Sequence, residues 1–298
     1  GLARLASAIR AEGCVACIQL VHGGPQAATA LVGETVGPSA VRPGPSASVP
    51  RALTLAEIEA IQQRFAEGAD RVVRAGFQAV DVHGAHGYLL DSFLSAARNR
   101  RTDAYGGDST GRVRLMAETC ARVVAAVGTR ALVGCRFSLF DKQPGEIGPQ
   151  ETRVVVRALQ AAGLHFLDLS SGGVFKPWFG QPRGIGQWVK THTALPVIVA
   201  GDLNCDLGNP ESSKYQTCMN FLNTGFRDAW NEANPAEPGY TKHLPIMTER
   251  SDYVMIRDPI FSQAAFLVGE EPEDRTPSGL WPGDHCGVVA RLQFSFED

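Results

Sequence analysis

No apolar run in this chain approaches the roughly 20 residues that a membrane-spanning helix needs, and no stretch has the order of a signal peptide. An excess of one charge is missing too. The formal net charge of -3 offers no electrostatic case for nucleic acid or an anionic membrane as partner. Seven cysteines, an odd number at irregular spacing, argue against a disulfide framework and for a reducing, cytoplasmic compartment. There is no internal repeat. The chain opens on Gly1 rather than Met, as a chain does when a leader or an N-terminal segment has been removed. What is present is an ordinary globular composition, 44% hydrophobic and 20% charged over 298 residues, enough for one large domain or two ordinary ones.

Up to about residue 200 helical and strand patterns alternate. Helices are predicted over 2–12, 55–75, 111–127, 150–162 and 185–191, the second announced by Thr54 with Glu57 three residues on, a capping box. Between them lie the apolar runs "VACIQLVH", "AVDVH", "ALVGCRFS", "HFLDLS" and "PVIVAG". Strands separated by helices imply parallel βαβ units, whose chemistry gathers at the C-terminal ends of the strands. Polar residues fall at those ends: Gln19 and His22, then His83 and His86, then Arg136 and Ser138, then Asp168, Ser170, Ser171, Gly172 and Gly173. An Arg on a core strand needs an anionic partner. Spacing leaves open whether that partner of Arg136 is Asp168 or Asp81 in a buried pair, or a ligand. The two histidines, read alone, fit a turn with solvated rings. Cys14 and Cys17 form a CxxC inside what reads as a buried strand; three residues apart they face opposite ways, which suits structural thiols better than a shared metal. The stretch "GPSAVRPGPSASVPRALT" reads as a loop within this part.

The segment "AGFQAVDVHGAHGYLLDSFLSAARNRRTDAYGGDSTGRVR", residues 75–114, resembles the Old Yellow Enzyme family of FMN-dependent NADH:flavin oxidoreductases, and the likeness runs from "IQLVHGG" to about Ala200. The resemblance implies a TIM-type (β/α) barrel with FMN across the C-terminal mouth, NAD(P)H as reductant and an activated alkene as small-molecule substrate. By the same resemblance His83 and His86 bind the substrate carbonyl oxygen, stabilising the charge that develops as hydride arrives. Tyr88 is then the proton donor to the neighbouring carbon. Gln19 would meet the flavin pyrimidine edge and Arg136 its N1/O2 side. Two local departures stand out: His22-Gly23-Gly24-Pro25 where the family has His-Ala-Gly-Arg, and Gly111 where it has Asn. The strands here correspond to about five of eight, the third to seventh. The eighth strand, with its grip on the FMN phosphate, is expected after Ala200 and is not found there.

From Pro196 on, the chain resembles instead the C-terminal half of the endonuclease/exonuclease/phosphatase superfamily, a DNase-I-like α/β sandwich. The residues that carry this are Gly201-Asp202-Leu203-Asn204, then Asp252-Tyr253, then Asp284-His285. The resemblance implies a Mg²⁺-dependent hydrolase in which Asp202 activates water, Asn204 and His285 hold phosphate, Asp252 braces His285 and Asp284 approaches the metal. "PVIVAG" serves both families as a strand, so the join falls on a shared word, with no linker rich in Gly, Pro or Ser. The expected organisation is thus an incomplete barrel over residues 1–200 joined to half a sandwich over 201–298. The expected function is an ene-reductase, with a phosphohydrolase and a non-catalytic hybrid as alternatives. Exposed strand edges on an unclosed barrel would favour homo-oligomers.

Overall fold

In a computed structural model the structure describes residues 1–11, 13–45, 47–138, 148–170, 185–198, 200–202, 215, 219, 222, 227–237, 252–256, 260–268 and 287–294. The chain divides into two compact units, Gly1–Ser171 with Gly186–Ile198, and Gly172–Ile185 with Val199–Asp298. The first unit carries α1 (Leu2–Ala11), β1 (Cys17–Leu20), α2 (Thr29–Val32), β2 (Val36–Gly37), β3 (Arg51–Ala52), α3 (Leu55–Arg74), β4 (Ala79–Gly84) and α4 (Leu89–Leu94). It continues with α5 (Ser109–Val127), β5 (Leu132–Phe137), α6 (Pro149–Ala161), β6 (Phe166–Leu169), α7 (Ile185–Lys190, all but its first residue) and β7 (Val197–Ile198).

Strands β1, β4, β5, β6 and β7 lie side by side in chain order, every pairing parallel. A parallel sheet must be covered by its crossover helices. Helix α3 begins at a complete capping box, the Glu57 amide donating to Thr54 Oγ1 (3.3 Å) and the Thr54 amide to Glu57 Oε2 (2.8 Å). It buries Ile58, Phe65, Ala69 and Val72 at helical spacing. Helix α5 is capped by Asp108, which accepts from the Gly111 amide (2.9 Å), and packs against α3. All six residues of β4, the strand between β1 and β5, are buried.

The predicted helices appear within two residues of their expected ends; α2 and α4 were not expected. The Pro-rich loop is closed by a two-residue parallel pair of β2 with β3. The reading of the CxxC run as a buried strand is corrected. Among the described residues β1 pairs with β4 alone, Val15 and Val21 on either side of it are more than half exposed, Cys14 precedes the strand and Cys17 is exposed. An edge strand has neighbours on one side only, so an apolar run does not guarantee burial.

The shared word "PVIVAG" is divided by the fold. Val197 and Ile198 form β7, paired parallel with β6, whereas Ala200–Asp202 form β8, paired antiparallel with β10. The second unit holds β8, β9 (Arg227–Asp228), α8 (Ala229–Ala233), β10 (Asp252–Ile256), β11 (Ile260–Val268) and β12 (Gly287–Phe294). Its described strands make an antiparallel sheet in the order β8-β10-β9 and the antiparallel pair β11-β12. Helix α8 is capped by Asp228 and held to β11 by Asn234 Nδ2, which donates to the Ala265 carbonyl (2.7 Å). No helix among the described residues is long and apolar enough to cross a membrane.

Candidate functional site

Side chains two apart on a strand share a face, and so do register partners on neighbouring strands. Gln19 stands opposite Asp81, His83 opposite Arg136, and Arg136 opposite Asp168, while Asp81 and His83 are two apart on β4. Five polar residues from four strands therefore occupy one face of the sheet near its C-terminal edge. Two pairs among them touch. Gln19 Nε2 donates to Asp81 Oδ2 (2.5 Å), and Arg136 Nε lies 3.5 Å from Asp168 Oδ2. Arg136 also donates through Nη2 to Ser170 Oγ (2.9 Å), which lies 2.8 Å from His86 Nε2. The partner of Arg136 within the protein is thus Asp168, the ion pair that spacing alone had left open.

His83 is buried, with 5% of its surface exposed, so the solvated-ring reading fails for it. Its ring lies 5.2 Å from that of His86 and 5.3 Å from that of Tyr88, centroid to centroid. Neither ring nitrogen of His83 has a hydrogen-bond partner among the described residues, and the same is true of Arg136 Nε and Asp81 Oδ1. Buried polar atoms without partners cost about 1–3 kcal/mol each unless water or a ligand satisfies them.

Burial sets the protonation of this face. It lowers His83 to about 4, helped by the nearby His86 and by the positive charge of Arg136, so the imidazole is neutral at pH 7. Burial also lowers His86. The same desolvation pushes the Asp81 carboxyl up to about 7, against the Gln19 hydrogen bond, and Asp168 up to about 6, against Arg136. His22, after β1, has its Nδ1 occupied by the Gly24 amide (3.0 Å) and is lowered by burial.

Sequence reasoning placed Gln19, His83, His86, Tyr88 and Arg136 on this edge, and the structure brings them together in the first unit. It named Ser138 without its task, and it missed Gln26 and Asp91. The His86 amide donates to Ser138 Oγ (3.0 Å), the His86 carbonyl accepts from Gln26 Nε2 (2.6 Å), and the Gly87 amide donates to Asp91 Oδ2 (2.5 Å). Asp91 sits in the first turn of α4, a six-residue helix too short to announce itself by periodicity. Much of "SAARNRRTDAYGG" has a structural task. Arg101, whose side chain is 9% exposed, binds Asp103 (2.6 Å) and the carbonyls of Pro38 (3.1 Å) and Leu53 (2.6 Å), while Asn99 Nδ2 donates to the carbonyls of Phe93 and Tyr105.

In the second unit Asp202 and Asp252 are register partners across β8 and β10. Asn204, Asp284 and His285 lie outside the described residues, as do Ser171, Gly172 and Gly173.

Residues 1–203 match the family model described as NADH:flavin oxidoreductase / NADH oxidase family. An NADH-dependent flavin oxidoreductase of Aspergillus parasiticus is 39% identical over 230 residues, covering 76% of this chain and 50% of that protein. An NADPH dehydrogenase of Geobacillus thermodenitrificans is 34% identical over 205 residues, covering 67% of this chain and 59% of its own. Among solved structures, the old yellow enzyme homologue from Zymomonas mobilis superposes with a TM-score of 0.60 at 25% identity, over 75% of this chain and 64% of that one. A morphinone reductase variant in complex with tetrahydroNAD gives 0.58 at 27% identity, over 67% and 59%. The chain spans only half to three fifths of the length of these two curated relatives.

Proposed function

The chain belongs to the NADH:flavin oxidoreductase / NADH oxidase family, and from that premise we propose that the polar edge of its first unit reduces activated alkenes, using FMN and a reduced nicotinamide, NADH or NADPH. The observation that carries the reading is His83, buried, neutral and without a partner for either ring nitrogen among the described residues, beside His86 and Tyr88.

The residues fit the ring end of a flavin. The unpartnered ring nitrogens of His83, and Arg136, whose Nε meets Asp168 only at 3.5 Å, suit a planar, acceptor-rich group and an electron-poor carbonyl above it. Gln19 has committed one N–H to Asp81 and keeps its carbonyl oxygen and second N–H for a ring that presents both a donor and an acceptor. A bound flavin supplies the hydride, which it takes from the nicotinamide. Neutral His83 and His86 each present one N–H to the carbonyl oxygen of the substrate, drawing electrons from the β-carbon and stabilising the enolate that follows. Tyr88 then gives its phenolic proton to the α-carbon and recovers one from solvent, so hydride and proton add across the double bond. Arg136, held by Asp168 and Ser170, keeps a fixed positive charge beside the face that receives electrons.

On FMN-loaded protein, Tyr88→Phe should slow re-oxidation by an enone at least tenfold while leaving reduction by nicotinamide within twofold, as an effect confined to the proton-transfer step requires. Equal losses in both half-reactions, followed by stopped-flow absorbance, would remove Tyr88 from this role. For residues 201–298 the pairing of Asp202 opposite Asp252 supports a second reading, a Mg²⁺-dependent phosphodiesterase. Its test is Mg²⁺-supported cleavage of bis-p-nitrophenyl phosphate that His285→Ala abolishes.

A further inference from the structure

His86 has φ of +60°, the one non-glycine residue in the left-handed region among the described residues, and Gly87 follows at +76°. A side chain bearing Cβ is disfavoured there by about 1–2 kcal/mol and stays only where its surroundings over-determine it. Three side chains do so here: Ser138 on the His86 amide, Asp91 on the Gly87 amide and Gln26 on the His86 carbonyl. Gln26 differs from the other two. It is an exposed residue in the turn Gly24–Gln26, and its amide reaches a carbonyl 60 residues along the chain. It also abuts Gly87 so closely that a Cβ on that glycine would come 2.5 Å from its Nε2. Nearby, the Leu89 amide donates to the His22 carbonyl (3.1 Å). Segment 22–26 therefore grips segment 86–89 at two points, one on each side of Tyr88.

We propose that Gln26 is a positioning residue of the site: by holding the His86 carbonyl it keeps the left-handed turn that fixes the imidazole of His86 and the phenol of Tyr88. That these groups act on substrate rests on the function proposed above; that Gln26 sets their geometry does not. The test therefore uses readouts that need no flavin, on the full chain. Amide exchange would be followed by NMR at His86, Gly87 and, as a control, Val82 within β4, together with the titration of the His86 ring. In Gln26→Ala, exchange at His86 and Gly87 should quicken at least about tenfold with Val82 unchanged, the mark of local opening. The His86 midpoint, lowered by burial in the native turn, should move up toward the ordinary histidine value. Gln26→Glu keeps the shape but cannot donate to a carbonyl at neutral pH, and should behave as the alanine variant does. Unchanged exchange and titration in Gln26→Ala would overturn the proposal. So would a Gln26→Glu protein indistinguishable from wild type, or a loss of protection shared equally by Val82.

Discussion

Asp81 and His83 stand two residues apart on β4, and burial drives them toward neutrality from opposite sides. An aspartate raised to about 7 in the folded chain, from an unfolded value near 3.9, binds its proton more tightly when folded. Its contribution is full below about pH 4 and is lost as pH rises through about 7, with a limiting slope of about 1.4 kcal/mol per pH unit. His83, lowered to about 4 from about 6.5, works the other way, and stability rises across that interval as its proton becomes unnecessary. The two partly cancel in the wild-type protein, so a variant is needed to see either. Asp81→Asn keeps an acceptor for Gln19 and removes the titration. Relative to wild type it should gain stability between about pH 4 and 7 and level off above that, as read by urea midpoints at each pH. A constant difference across that range would mean that Asp81 is ionised throughout.

Among the elements, those that were legible owe it to long-range periodicity or to a local chemical signal. Helix α3 combined a capping box with apolar residues at helical spacing, and β4 and β5 were apolar runs broken by single polar residues whose period placed them on one face. What stayed hidden was short or depended on neighbours. Helix α4 has six residues and follows Tyr88, which gives it no side-chain cap, and the exposure of β1 follows from its place at the sheet edge. The polar row at the strand ends was visible as residues but not as a network, because Ser138 and Gln26 act through backbone atoms of distant segments and Asp91 through a backbone amide four residues away. One departure from the family pattern finds its reason at this scale. A Cβ on Gly111, in the first turn of α5, would run into the carbonyl oxygen of Gly106, so the Asn that the resemblance implies does not fit this turn. Gly111→Ala should lower the unfolding free energy by about 1–3 kcal/mol through this overlap, despite the better helix propensity of alanine. A variant as stable as wild type in urea would show that the turn relaxes freely.

At the scale of the molecule the sequence was ambiguous where one strand suited two folds; in the structure Val197 and Ile198 pair in a parallel sheet and Ala200–Asp202 in an antiparallel one. The family model likewise ends at residue 203. By resemblance the grip on the FMN phosphate should come from the chain just after β7, and that position along the chain is taken by β8, which ends in Asp202. Phosphate is held by backbone N–H groups and usually an Arg, and two or three such charge-assisted contacts contribute about 1.5–3 kcal/mol each. If the chain lacks two or three of them, about 3–9 kcal/mol, FMN should bind about two to six orders of magnitude more weakly than at a nanomolar-class site, with a Kd of about a micromolar or above. Fluorescence quenching on titration with FMN measures this, and a preparation that retains one FMN per chain through purification would contradict it.

The central claim is that His83 and His86 hold a substrate oxygen over a flavin, and a phenol reports on that directly. With FMN in excess over its dissociation constant, adding a para-substituted phenol should raise a broad absorption band to the red of the flavin envelope, as the phenolate oxygen settles at the histidine pair and shares charge with the ring. Replacing both histidines by alanine should abolish that band while FMN still binds. A band of undiminished intensity in the double variant, or none in the wild-type chain at saturating FMN, would place the substrate oxygen elsewhere and contradict the account.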